Sequence, residues 1–148
     1  MSASLFADVN NLSGKVRSTE YSLSKKGLAL KGYDPVAYFQ NGPSKGKRQF
    51  IYAYKNVTYW FVDEVNRAEF METPAKYEPQ YGGWCAWAMA DEGVRTKANP
   101  ESYKIVDGKL YVFYDGILGD TLKLWNDAGN DEKLIGLADQ YWAEQVLK

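Results

Sequence analysis

Two stretches of the chain are short runs dominated by apolar and aromatic residues, and each is followed by a turn and a partner run. "QFIYAY" (49–54) and "VTYWF" (57–61) are rich in β-branched and aromatic residues, with Lys55 and Asn56 between them as a turn. Successive strand side chains point to opposite faces. Phe50, Tyr52 and Tyr54 therefore share one side of the first strand, and Val57, Tyr59 and Phe61 one side of the second. A second hairpin is predicted from "SYKIV" (102–106), Asp107-Gly108 and "KLYVFY" (109–114). Asp-Gly favours the tight turn whose twist matches paired strands.

Helical signals lie around these hairpins. In "KGYDPVAYFQNG" (31–42), Asp34 is a natural N-cap, Pro35 suits the first helical position and Gly42 falls past the end, so a short helix is expected. Asp63 is expected to cap a helix running to about Met71, closed by Pro74. From Trp84 to Met89 every residue is apolar, which predicts a helix inside the core, with Gly82 and Gly83 allowing close backbone approach. Leu118, Leu122 and Trp125 fall at helical spacing. So do Leu134, Leu137, Ala138, Tyr141 and Trp142, with Gln145 the one polar exception on that stripe. The expected fold is α+β, a small antiparallel sheet from two hairpins packed with several short helices. Residues 1–25 are dense in turn formers and read as a loosely ordered arm; residues 26–148 read as a single domain ending in two helices.

At 148 residues the chain fits one domain that buries roughly 70% of its unfolded surface. Eighteen basic against nineteen acidic side chains leave a net charge of −1, which gives no general attraction to phosphate backbones or anionic lipid. Neither a nucleic-acid partner nor a membrane is expected. The one basic cluster, Lys45, Lys47 and Arg48, sits in a Gly/Pro/Ser stretch and reads as a solvated loop. A single Cys rules out an intrachain disulfide and leaves the redox compartment undefined. Met1 to Asn10 lacks the basic and apolar regions of a secretion signal, so the protein is expected to be cytoplasmic or to have lost such a signal.

The absence of His excludes Ser-His-Asp chemistry and a His-activated Cys. No phosphate-cradling glycine loop is present. Adjacent carboxylates occur at Asp63-Glu64, Asp91-Glu92 and Asp131-Glu132, all near predicted helix ends or loops, where capping and solvation account for them. Cys85 has three readings. It fills core volume; or it pairs with Met89, four residues on, as a soft site for Cu(I); or it is a thiol activated in the first turn of a helix. The twelve Tyr, six Phe and five Trp either pack the core or wall a pocket for a flat or apolar ligand, their phenol and indole groups supplying oriented hydrogen bonds.

Four phrases in order, "KGYDPVAYF", "YWFVDEVNRAEFMETPAKY", "YGGWCAWAMA" and "VDGKLYVFY", resemble the YHS-domain family over roughly residues 28 to 115. Metal-binding members of that family carry a Cys after Asp-Pro-Val and two more in a Phe-Cys-x3-Cys run. Here those positions hold Ala37, Val62 and Asn66. The resemblance thus implies a retained scaffold without its three sulfur ligands, and no cofactor is expected. It also implies a non-catalytic binding or accessory module for a small molecule or protein, with Tyr33, Tyr38, Tyr81, Trp84, Cys85 and Trp87 as candidate pocket residues. The alternatives are copper handling through Cys85 and Met89, and thiol redox chemistry at Cys85. Family members often carry secretion signals, which tilts the expected location towards the periplasm or exterior.

Overall fold

A computed structural model describes residues 8–147. The first hairpin forms where its two runs and their turn place it. Strand β1 (Lys47–Tyr54) pairs antiparallel with β2 (Val57–Phe61), Tyr52 opposite Tyr59 and Tyr54 opposite Val57. Lys55 and Asn56 take the positive φ values, 44° and 68°, that a mirror-image hairpin turn needs. Val57, Tyr59 and Phe61 are fully buried and gather around Phe70, with ring centroids 4.7 Å from Tyr59 and 5.2 Å from Phe61. The second hairpin joins β3 (Asn99–Val106) to β4 (Lys109–Phe113) through Asp107 and Gly108, again at positive φ.

Strand β4 is buried on both faces. Tyr111 and Phe113 enter one apolar core, with Met89, Trp125 and Trp142. Leu110 and Val112 enter a second, with Tyr59, Phe61 and Phe70. Period two thus divides one strand between two cores, and β4 is the wall they share. The hairpins do not merge into one sheet. They remain separate two-stranded ladders; single parallel bridges tie Leu28 to Thr58 of β2 and Pro79 to Leu110 of β4, and a third ladder pairs β5 (Asp115–Gly116) with β6 (Gly119–Asp120). The fold is α+β.

The helices follow their caps. Among the described residues, α1 spans Gly14–Glu20, α2 Glu64–Glu72, α3 Pro74–Tyr77, α4 Ala86–Glu92, α5 Thr121–Ala128 and α6 Asp131–Val146. Asp63 caps α2 by accepting from Asn66 N at 2.9 Å. Pro74 does more than stop that helix, because it opens α3 from the first helical position. The apolar run from Trp84 starts its helix two residues late. Cys85 is the N-cap of α4, and Gly93 ends it in the left-handed conformation. None of these helices is long and apolar enough to cross a membrane.

Three expectations need correction. Residues 34–42 form no regular helix but a 3-10 turn, Ala37–Phe39, with Val36 at its N-cap, while the Asp34 carboxylate accepts from Val36 N, Ala37 N, Val62 N and Asn66 Nδ2. Leu118 does not begin α5. Asp120 caps that helix by accepting from Lys123 N, which leaves Leu118 in the β5–β6 turn beside Ile117. The third concerns the arm. Residues 1–7 of the expected loose segment lie outside the described residues, but from Asp8 onward the chain docks.

Helix α1 is capped by Ser13 and carries Arg17, whose side chain is only 5% exposed. Its five N–H groups all find acceptors. Nε donates to Lys55 O, Nη1 to Tyr21 OH and Glu78 Oε1, and Nη2 to Tyr54 O and Glu78 Oε2. A long cation in a turn-rich segment reads as solvated. Here it is the anchor that fastens the arm to the first hairpin turn.

Removing one member of a buried ion pair strands the other, at a cost of about 3–5 kcal/mol. Arg17→Met is therefore expected to lower unfolding stability by about that amount and to expose amides 12–22 to hydrogen exchange. Urea denaturation and exchange mass spectrometry read the two effects.

Candidate ligand pocket

The docked arm closes one side of a pocket of about 370 Å³. Val9, Asn10 and Ala75 complete a wall whose other residues come from four places. Arg17 and Tyr21 come from α1 and its C-terminal cap; Glu78 to Gly82 form the connection before α4; Lys109 opens β4; and Asp139 and Trp142 lie three apart on α6. Tyr81 and Gly82 both adopt left-handed backbone, φ 57° and 59°. For a tyrosine this conformation costs about 1–3 kcal/mol and persists only where neighbours enforce it. Gly82 is obligatory, since a Cβ there would lie 2.6 Å from the Tyr21 ring. Ser22 N donates to Gly82 O at 2.9 Å, so the arm itself holds the turn.

The polar groups in this wall form two sets. In the first, Glu78 accepts from both terminal nitrogens of Arg17, and its Oε2 also accepts from Tyr59 OH at 2.6 Å. The Arg17 guanidinium lies 4.9 Å above the Tyr21 ring. This set is neutral and saturated. In the second, Tyr81 OH donates to Asp139 Oδ1 at 2.8 Å, while Asp139 Oδ2 makes no hydrogen bond among the described residues. Burial raises the Asp139 carboxyl above its ordinary value of 3.8, against the pull of the Tyr81 hydrogen bond and the Lys109 charge. Lys109 is exposed and makes no ion pair among the described residues. Burial also pushes the Tyr21 phenol to about 12 and Tyr59 and Tyr81 well above 10, so all three stay protonated donors.

Of the six residues expected to wall a pocket, only Tyr81 does so here. Tyr38 is buried in the second core, its hydroxyl donating to Pro100 O. Tyr33 is half-buried against that same core. Trp84 is half-buried, and its Nε1 donates to Glu20 O at 2.8 Å. Trp87 packs half-buried on the first core. The group is split between two cores and does not converge. Arg17, Tyr21, Glu78, Asp139 and Trp142 were not anticipated. Asp139 carries no local signal, because it lies beside the apolar stripe of α6 and not on it.

Cys85 lines neither this pocket nor the second one described below. The thiol is fully buried, 3.3 Å from Thr121 Oγ1. Met89 is equally buried, its sulfur accepting from Gln145 Nε2 at 3.6 Å. Among the described residues no three His, Cys, Asp or Glu side chains gather as a metal site.

Ala37, Val62 and Asn66, the positions at which the resemblance would place cysteine ligands, surround a carboxylate. Asp34 is fully buried. Its Oδ1 accepts from Val36 N and Ala37 N, and its Oδ2 from Val62 N and Asn66 Nδ2. Four N–H donors converge on one anion, and such a donor set turns no sulfur lone pair towards a soft metal. Two of the three carboxylate pairs have structural work, while Asp91 and Glu92 are exposed. Asp63 caps α2, Glu64 pairs with Arg67, and Asp131 accepts from Lys104 and from Trp125 Nε1. Lys104 holds the Asp131 carboxyl below its ordinary range.

No protein-family model, no curated protein and no solved structure matches this chain, so the YHS resemblance rests on its four motifs alone.

Two outcomes are expected. Asp34→Asn turns an NH2 group towards N–H donors and should cost about 3 kcal/mol, given the strength of hydrogen bonds to a buried charge; chemical denaturation measures it. Cys85 should react with an aromatic disulfide reagent at least ~100-fold more slowly in native than in denatured protein, as expected of a thiol reached only by opening of the core.

Proposed function

We propose that this protein is a non-catalytic binding module of the YHS type that takes a small organic cation, such as a primary or methylated amine, in the pocket between α1 and α6. The observation that carries the reading is Asp139. Its carboxylate faces a cavity with one oxygen held by Tyr81 and the other free, beside the aromatic surface of Trp142 and Tyr21. Burial disfavours its charge, and a cation bearing N–H groups offsets that penalty while filling the free acceptor. The Arg17–Glu78 pair contributes no net charge and fixes the wall. A ligand's apolar portion gains contact with the two rings, where cation–π attraction adds to burial.

A binding role fits the pocket better than catalysis. Its phenols are held protonated well above neutral pH, which suits them to donate hydrogen bonds and not to attack. The copper and thiol readings gain no supporting contact, since both sulfurs are enclosed in the first core.

The test exploits the sign of the Asp139 shift. An acid whose folded pKa is raised adds no penalty below its unfolded pKa. Its penalty grows as pH rises through the folded pKa and is complete above it. Asp139→Asn keeps an acceptor for Tyr81 and loses the charge. The variant should therefore melt at or above the wild-type temperature at pH 7, with the gap closing in acid. At the same time it should lose the rise in Tm that amines give the wild type, tenfold or more in affinity. Scanning fluorimetry against amines and matched carboxylates is the measurement. The proposal fails if no amine raises the wild-type Tm, or if the rise survives in Asp139→Asn.

A further inference from the structure

The β5–β6 hairpin has an unusual tip. Ile117 and Leu118 occupy its turn with relative exposures of 102% and 90%, where turn chemistry ordinarily places Gly, Asn or Asp. The tip is not loose. Tyr114 OH accepts from Leu118 N at 3.2 Å, and a Cβ on Gly116 would meet that same hydroxyl at 2.6 Å. Tyr114 O in turn accepts from both Thr121 N and Thr121 Oγ1 at the start of α5. Two aliphatic side chains are thus presented to solvent on a braced support. At its base Asp115 and Asp120 are cross-strand partners, and like charges directly opposite repel. The tip is a rigid apolar knob with an acidic collar.

A surface of complementary character lies elsewhere on the same chain. A pocket of about 230 Å³ is lined by Leu23, Leu28, Leu30 and Val112, with Lys31 and Lys97 also on its wall. Both lysines are exposed, and neither makes an ion pair among the described residues. An apolar cavity of about 150 Å³ admits a benzene-sized group, so this one has room for the branched side chains of the knob. Two free cations beside an apolar floor match two crowded carboxylates below an apolar tip.

We propose that the Ile117–Leu118 tip of one copy of this chain seats in the Leu23–Leu28–Leu30–Val112 pocket of a second copy, with Asp115 and Asp120 meeting Lys31 and Lys97. The contact is small and therefore weak and reversible. If two copies exchange tips reciprocally it closes as a two-fold dimer, and if not it propagates from copy to copy. It is independent of the amine pocket, since none of these residues lines that cavity.

Sedimentation of the full chain over a concentration series to roughly 1 mM, the weak end of specific association, should show reversible growth in mass that falls as salt rises. Ile117→Ser with Leu118→Ser should weaken it tenfold or more without changing Tm, because both side chains already face solvent. Lys31→Glu with Lys97→Glu should do the same. Mixing that variant with Asp115→Lys should restore part of the association, since the now acidic pocket meets a collar that carries a lysine and no net charge; Asp120 is left alone because it caps α5. A wild type that stays monomeric throughout, association that persists in the Ile117→Ser/Leu118→Ser protein, or no recovery in the mixture overturns the proposal.

Discussion

The fold around the candidate pocket depends on one buried cation. Arg17 reaches the carbonyls of Tyr54 and Lys55 on the first hairpin turn and the carboxylate of Glu78 just before the strained Tyr81–Gly82 turn. A guanidinium suits the position because its planar fork offers five donors in fixed directions, which an ammonium group cannot reproduce. The pair with Glu78 is unremarkable as a source of net stability, since desolvation offsets much of the attraction. Its effect is geometric. It sets where the arm lies, and the arm in turn holds Gly82 through Ser22 and forms one wall of the cavity.

Strand β4 supplies the second organising constraint. With alternate side chains committed to different cores, it cannot slip by one residue without sending Tyr111 into the space shaped for Leu110. The Asp107–Gly108 turn fixes that register from one end. This explains why two ladders that never join as a sheet still make one unit: the continuity runs through side-chain packing and not through backbone hydrogen bonds.

How much of this was legible follows from the range of each signal. The hairpins, their turns and the cap at Asp63 were readable, because strand composition, turn residues and capping act within a few residues. The start of α5 was misplaced because Leu118 matches helical spacing by coincidence, while the local cap was overlooked. The pocket was largely illegible. Arg17 and Glu78 are 61 positions apart, and Tyr81 and Asp139 are 58 apart. No local pattern marks such pairs, and a charged side chain in a polar segment carries no sign that it will be buried. The aromatic residues were conspicuous by number, yet most of them serve two separate cores.

The hub at Asp34 depends unequally on its three neighbours. Ala37 and Val62 reach the carboxylate through their backbone amides, whereas Asn66 reaches it through its own amide group. A change of side chain at the first two sites therefore leaves the N–H partners of Asp34 in place. The third is a gatekeeper: a residue without an N–H group there leaves Oδ2 of a fully buried carboxylate one donor short.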